Sequence, residues 1–168
     1  MKIKFYGTRG SIPVCDSDFQ EFGGNTTCVA LGDDSNTGDV LIFDAGTGIR
    51  KLGKELMQRP ASSGGQIVMA FSHFHWDHMQ GFPFFAPAYD PSRKIDIIAM
   101  GADLEITDLK SIFAKQMEST FFPVSLDNMG ANFDFHLKKR DEEVFETGKT
   151  GRLLANRHNH PGGAYGYR

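Results

Sequence analysis

The sequence Ser72-His73-Phe74-His75-Trp76-Asp77-His78 follows directly on an apolar run at 66–71 that predicts a buried strand. Residues spaced by two leave an extended chain on the same side, so His73, His75 and Asp77 are expected to point one way. His78 is expected to point elsewhere. The segment therefore offers two adjacent sets of ligands, which suits two metals that share a bridging water. The alternative is a histidine-rich surface loop, or core histidines that bond backbone carbonyls.

The residue types in this segment indicate which metal it would bind. Four ligand-type side chains within six positions are typical of a metal site. Neutral imidazole and carboxylate groups suit Zn²⁺, with Mn²⁺ or Fe²⁺ as alternatives. The end of an apolar strand is also where α/β sheets commonly place their sites. A second pair, His158 and His160, brings five of the six histidines into two short segments. We therefore predict a centre for one or two zinc ions.

Strands and helices alternate on either side of this segment. A helix is predicted at 48–58, with Ile49, Leu52 and Leu56 on its apolar face. Strands that alternate with helices and then run in series predict an α/β or mixed layered domain spanning residues 1–168. The predicted strands lie at 3–6, 28–31, 40–43, 66–71, 94–100, 131–138, 143–147 and 151–158, with another begun at 164. A polar turn is predicted at 32–39, Pro60 is predicted to end the first helix, a loop follows at 61–65, and a second helix is predicted at 104–118.

The charge balance narrows the classes of partner. The chain has 168 residues, with 18 Lys and Arg against 21 Asp and Glu, and a net charge of −3. This balance argues against stable DNA binding through a basic surface, while a small phosphodiester remains compatible with it. No apolar run approaches the ~18–20 residues of a membrane span, so no membrane partner is expected.

The N-terminus and the cysteines bear on the compartment. Residues 1–7 lack the apolar segment and the cleavage site of a signal peptide. The only cysteines, Cys15 and Cys28, do not form a CxxC pair. We therefore expect a cytoplasmic protein with reduced thiols.

The motif at 72–78 resembles the HxHxDH signature of the metallo-β-lactamase superfamily. Other segments agree in order along the chain. Phe43-Asp44-Ala45-Gly46 is similar to the first motif of that superfamily, and His158-Asn159-His160-Pro161-Gly162-Gly163 is similar to its third. Gly7-Thr8-Arg9-Gly10-Ser11, with Gly23-Gly24-Asn25-Thr26-Thr27-Cys28, resembles the N-terminal loop of the branch containing ribonuclease Z-like and cyclic-nucleotide phosphodiesterase-like hydrolases.

The resemblance implies a fold and a set of ligands. The fold is a four-layer αβ/βα sandwich made of two similar halves. By resemblance, His73, His75 and His160 bind a first metal, and Asp77 and His78 begin a second site.

Two residues near these ligands have alternatives. We prefer His160 to His158 as the ligand because Pro161 confines His160 to extended conformations. His158 is then expected to be a hydrogen-bonding neighbour. Asp44 is expected either to hold the ligand loop from behind or to cap a turn before the helix at 48–58.

Two further features carry weaker signals. The glycine-rich loop at 7–26 could present backbone N–H groups to a phosphate, but turn-forming glycines explain it equally well. We expect Phe74 and Trp76 to wedge the ligand loop onto the core rather than to stack on a base.

The resemblance also implies ligands that this chain does not contain. The second half of such a fold supplies an aspartate that bridges both metals and a last histidine, whereas residues 161–168 include no His, Asp or Glu. Three histidines and water can complete the first site, but Asp77 and His78 cannot complete a second. We therefore expect the N-terminal portion of a longer hydrolase that holds at most one metal firmly. A half-domain completed by another chain, including a homo-oligomer, and a degenerate relative are alternatives.

The resemblance implies that the parent protein is a metal-dependent hydrolase, and most specifically a phosphodiesterase acting on a small, cyclic or nucleotide phosphodiester or on RNA. Metal binding lowers the pKa of water to about 7, and Asp77 is predicted to orient the attacking water. One alternative is hydrolysis of a lactam, lactone or thioester by the same chemistry. Another is a non-catalytic metal-binding module.

Overall fold

The computed structural model describes residues 2–32, 39–58, 65–101, 109–139, 144–146 and 151–168. Within these ranges the strands are β1 (Lys2–Gly7), β2 (Cys28–Gly32), β3 (Val40–Phe43), β4 (Ile67–Phe71), β5 (Lys94–Met100), β6 (Asn132–Lys138), β7 (Val144–Glu146), β8 (Arg152–His158) and β9 (Ala164–Tyr167). The α-helices are α1 (Ile49–Leu56), α2 (Trp76–Met79) and α3 (Leu109–Gln116). Short 3-10 helices lie at Ser17–Phe19, Phe82–Phe84, Ala86–Tyr89 and Leu126–Asn128.

Two sheets form the centre of the fold. The larger sheet has six strands in the order β1-β2-β3-β4-β5-β6. β1, β2 and β3 are antiparallel, whereas β3 to β6 are parallel. The smaller sheet is the antiparallel series β7-β8-β9. All five residues of β4 are buried, as expected for a parallel strand covered on both faces.

The large sheet separates two apolar clusters. One cluster packs α1 and α3 against the sheet and includes Leu52, Phe71 and Phe113. The other cluster joins the opposite face to the small sheet through residues such as Val68 and Leu153. The layers are therefore helix, sheet and sheet, and the predicted α/β class is confirmed.

The predicted elements agree with the structure where their apolar pattern is strong. Helix α1 buries Ile49, Leu52 and Leu56, as predicted. The second predicted helix is seen from residue 109; residues 104–108 lie outside the described ranges, as do most of the turn at 32–39 and Pro60. Cys15 and Cys28 are both free thiols. No helix in the described parts of the chain is long and apolar enough to cross a membrane.

An apolar groove of about 620 Å³ opens between the large sheet and β9. Its walls include Ile3 and Phe5 on β1, which are 54% and 66% exposed, and Tyr167 on β9. This exposed apolar surface is compatible with a homo-oligomer, one of the alternatives given above, which remains a prediction.

Candidate metal centre

The candidate ligand loop leaves the carboxyl end of β4. Phe74 anchors this loop in the core, with its ring centroid 6.0 Å from that of Phe71 and 6.4 Å from that of Phe113. Helix α2 then begins directly after His75. Trp76, in contrast, is 64% exposed. The expectation that Trp76 wedges the loop onto the core is therefore wrong, because the first turn of α2 directs this side chain to the surface.

Three histidines come together at this edge of the sheet. One ligand atom from each of His73, His75 and His160 lies within 4.8 Å of the other two. The ring centroid of His73 is 4.5 Å from each of the other two rings, which are 5.0 Å apart. The structure thus brings together the three residues that the resemblance assigned to a first metal, although they are 87 positions apart at most.

The surroundings of His73 suit a metal ligand. Its Nδ1 lies 3.0 Å from Oγ of Ser72, which in turn donates to Oδ2 of Asp44 at 2.8 Å. This chain of hydrogen bonds favours a proton on Nδ1. Nε2 of His73 is buried without a hydrogen-bond partner among the described residues. Burial, together with repulsion from neighbouring histidines, lowers the pKa of His73 to about 4, so the ring is neutral at pH 7. A buried, neutral and unpartnered nitrogen fits a divalent metal.

His160 is held by the turn between β8 and β9. Gly163 N–H donates to the carbonyl of His160 at 2.9 Å, and Gly162 has a φ of 81°. Pro161 followed by glycine is the pattern of a type II turn, which requires positive φ at the glycine. His160 Nδ1 lies 2.8 Å from the carbonyl of Pro161, which leaves Nε2 for a metal. The ring of His158 instead lies against Gly166 on β9.

The strand after this turn is attached to the ligand loop. Tyr165 N–H donates to the carbonyl of Ser72 at 2.9 Å. The hydroxyl of Tyr167 donates to the carbonyl of Phe71 at 2.7 Å. Burial raises the pKa of Tyr167, so this hydroxyl remains a donor at neutral pH. These two hydrogen bonds place His160 opposite the loop that carries the other two histidines.

Asp77 and His78 lie on α2 beside the three histidines. His78 Nε2 is 3.4 Å from Oδ2 of Asp77, and its ring centroid is 4.1 Å from that of His73. The expectation that His78 points away from the other ligands is therefore wrong. It assumed an extended chain, whereas the segment turns into a helix after His75. In an extended strand, successive side chains point to opposite sides, whereas in a helix they can face the same centre.

Asp44 holds the ligand loop from behind. It is buried, has a φ of 59°, and accepts hydrogen bonds from Ser72 N–H, Ser72 Oγ and His78 Nδ1, each at 2.8 Å. Burial alone would lower the pKa of His78, but the hydrogen bond to Asp44 and the charges of Asp44 and Asp77 raise it overall. Of the two roles considered for Asp44, the structure supports the first, since its hydrogen bonds go to Ser72 and His78, whereas the N-cap of α1 is Gly48.

The N-terminal loop reaches the same centre, which sequence reasoning did not foresee. Ser11 N–H donates to Oδ2 of Asp77 at 2.8 Å. Burial tends to raise the pKa of Asp77, but this hydrogen bond and the nearby His78 lower it overall.

Two glycines of the N-terminal loop allow close packing, since a Cβ on Gly7 would lie 1.9 Å from the carbonyl oxygen of Thr26 and one on Gly24 would lie 1.8 Å from that of Val14. Gly23 has a φ of 77°, which a turn tolerates best at glycine. This favours the turn-forming interpretation over phosphate binding.

These features define a metallo-β-lactamase fold, and comparisons with solved structures support that assignment. The metallo-β-lactamase fold protein YhfI from Bacillus subtilis matches with a TM-score of 0.62 and 16% identity, over 99% of this chain and 56% of that chain. A diphosphatase from the PhnP family matches with a TM-score of 0.59 and 16% identity, over 99% of this chain and 61% of that chain. The resemblance is therefore confirmed at the level of the fold.

Comparisons by sequence add nothing to this assignment: no protein-family model matches the chain, and no curated protein matches it. The chain spans less than two thirds of the length of the two solved structures. That residues 1–168 are the N-terminal portion of one domain remains a prediction, and so does a cytoplasmic location.

Proposed function

We propose that the protein is a metal-dependent hydrolase whose first metal is held by His73, His75 and His160. The observation that carries this proposal is the convergence of the three imidazoles around the buried, unpartnered Nε2 of His73. Three histidines with an open fourth position are the ligand set of catalytic zinc sites. Zn²⁺ therefore fits best, with Mn²⁺ or Fe²⁺ as alternatives.

Different residues of the chain would have different roles at such a centre. A bound divalent metal would supply an acidified water and would neutralise charge on the substrate oxygens. Asp77 lies beside the histidines with its carboxylate ionised at neutral pH, so it can accept a proton from the attacking water and orient it. Asp77 and His78 together offer donor atoms 3.4 Å apart for a second, weaker metal site.

We assign the substrate to the phosphodiester class. The N-terminal loop resembles that of phosphodiesterase-like hydrolases, and a solved structure of similar fold is a diphosphatase from the PhnP family. Small, cyclic and nucleotide phosphodiesters and RNA all belong to this class. Because one fold hosts many activities, a direct assay tests this assignment.

The substrate class is tested with three chromogenic compounds, a phosphodiester, a β-lactam and a thioester, each with Zn²⁺ or Mn²⁺ added. We expect hydrolysis of the phosphodiester above the rate of metal alone, and none of the other two. Hydrolysis of the lactam or thioester only would assign the protein to the alternative class, which hydrolyses lactams, lactones or thioesters. Metal binding without any turnover would support the non-catalytic alternative.

Metal stoichiometry is a separate test. We expect one tightly bound Zn²⁺ per chain after dialysis, because three histidines converge on the first site while Asp77 and His78 supply only two ligands to the second. The measurement is elemental analysis of the dialysed protein against its concentration. Two tightly bound equivalents would contradict this ligand count.

A further inference from the structure

The N-terminal loop contacts the candidate metal centre through a residue in an unusual conformation. Ser11 has a φ of 68° and donates its N–H to Oδ2 of Asp77 at 2.8 Å. Among the described residues, the non-glycine positions with positive φ are Ser11 and Asp44. Both residues hydrogen-bond to side chains of the second candidate site, since Asp44 contacts His78. Both non-glycine residues with left-handed backbone in the described ranges therefore contact this centre.

Ser11 is the central residue of a γ-turn. Ile12 N–H donates to the carbonyl of Gly10 at 2.9 Å across it. A γ-turn with positive φ at its centre is the rare and strained form, and glycine would adopt it without a steric penalty. Strained backbone persists where the surrounding structure over-determines it, and such positions cluster at functional sites.

Hydrogen bonds on both sides hold this turn in place. Thr8 N–H and Arg9 N–H both donate to the carbonyl of Asn25, at 3.1 and 3.0 Å. Beyond the turn, Val14 N–H donates to the carbonyl of Gly24 at 3.0 Å. None of these bonds involves a candidate ligand. The segment before β2 therefore supports the turn independently of the candidate ligands. The turn contacts the metal centre through the Ser11 N–H.

The hydrogen bond from Ser11 N–H is accepted by one of the two carboxylate oxygens of Asp77. Oδ2, which accepts the Ser11 N–H, is also the oxygen 3.4 Å from Nε2 of His78. A carboxylate oxygen has two lone-pair sites, so one hydrogen bond leaves the other directed towards a cation. His78 is oriented in turn by Asp44 through Nδ1. The two donor atoms of the weaker site are thus each fixed by one outer partner.

We propose that Ser11 is a positioning residue for Asp77: its backbone N–H, presented by the γ-turn, orients Oδ2 of Asp77 towards a second metal beside His78. This inference rests on the proposed function, because it assumes a metal at this centre. It makes the N-terminal loop part of the metal site through its backbone rather than through a side chain.

The test replaces Ser11 in ways that separate its N–H from its side chain. Ser11→Pro removes the N–H and fixes φ near −65°, so both features are lost. Ser11→Gly and Ser11→Ala keep the N–H and serve as matched controls. Co²⁺ binding is followed by visible absorption and calorimetry in each variant, with circular dichroism as a check of folding. In the metal-free chain, amide hydrogen exchange at residue 11 is compared between the unsubstituted protein and Asp77→Ala.

We expect Ser11→Pro to weaken the second, lower-affinity Co²⁺ equivalent by about tenfold or more, as loss of outer-shell partners does. The tight equivalent should change less than twofold, and both controls should match the unsubstituted chain. Protection of the residue 11 amide should fall in Asp77→Ala. If Ser11→Pro does not fold, Ser11→Val replaces it, because a β-branched residue disfavours positive φ while retaining the N–H; it should weaken the second equivalent as well.

Two results would overturn the positioning role. One is equal weakening of both equivalents, or of neither, in the disruptive variant. The other is an unsubstituted chain that binds a tight equivalent and hydrolyses substrate but shows no second equivalent. Failure of the proposed function has a different signature, since the unsubstituted chain would then lack the tight equivalent itself.

Discussion

The His75→Ala variant is expected to lose tight metal binding and to hydrolyse substrate no faster than background. His75 supplies one of the three imidazoles that converge within 4.8 Å. Loss of an outer-shell partner alone costs about 10–100-fold in metal affinity, so removal of a direct ligand should cost more than about 100-fold. Because His75 is exposed, the free energy of unfolding of the metal-free protein should change by less than about 0.5 kcal/mol. Metal titration, activity and urea unfolding measure these three quantities.

His158→Ala is the matched control for this variant. His158 lies on the same hairpin as His160, but its ring contacts Gly166 instead of the cluster. Metal affinity and activity should therefore remain within about twofold of the unsubstituted protein. Retention of activity in His75→Ala, or its loss in His158→Ala alone, would refute the assigned ligand set.

Asp44→Ala is expected to damage both stability and metal binding. The change leaves Ser72 and His78 without the acceptor that three hydrogen bonds share. Each buried donor left unpaired costs about 1–3 kcal/mol, and alanine at positive φ adds about 1–2 kcal/mol. We expect a loss of about 3 kcal/mol or more in the free energy of unfolding, measured in urea. Metal affinity should fall about 10–100-fold because the ligand loop loses its support.

The Asp44→Asn variant separates the effect of the backbone conformation at this position from the effect of the carboxylate charge. Asparagine tolerates positive φ and can still accept the bond from Ser72 N–H, so much of the stability should return. It lacks the negative charge and the second acceptor oxygen that serve His78, so metal affinity should stay low. An Asn variant with full metal affinity would show that the Asp44 charge does not support the site.

The parts of the site that the sequence predicts are those encoded by short motifs. The spacing at 72–78 identifies the ligand loop, and the apolar run before it identifies β4. Pro161 favours His160 over His158, and the turn at Pro161 and Gly162 explains how it is held. Each of these inferences depends on neighbours in the chain. The resemblance then pairs segments that are distant in sequence, and the structure brings them together.

The parts that sequence reasoning missed depend on contacts between distant segments. Period-two spacing does not show that the chain becomes helical at Trp76, because tertiary support for the loop by Asp44 overrides the local pattern. The bond from Ser11 to Asp77 joins residues 66 positions apart through a backbone N–H. Because every residue except proline has a backbone N–H, such a contact does not require a particular residue type. The one signal available was the length of the glycine-rich loop, since long loops in compact domains are commonly functional.

The central claim is that His73, His75 and His160 hold one metal, and anomalous X-ray diffraction from Zn²⁺-loaded crystals tests it most directly. The account predicts a single strong zinc peak about 2.0–2.1 Å from one ring nitrogen of each of these three histidines. A strong peak bound elsewhere, or crystals loaded with zinc that show no peak at this cluster, would contradict it.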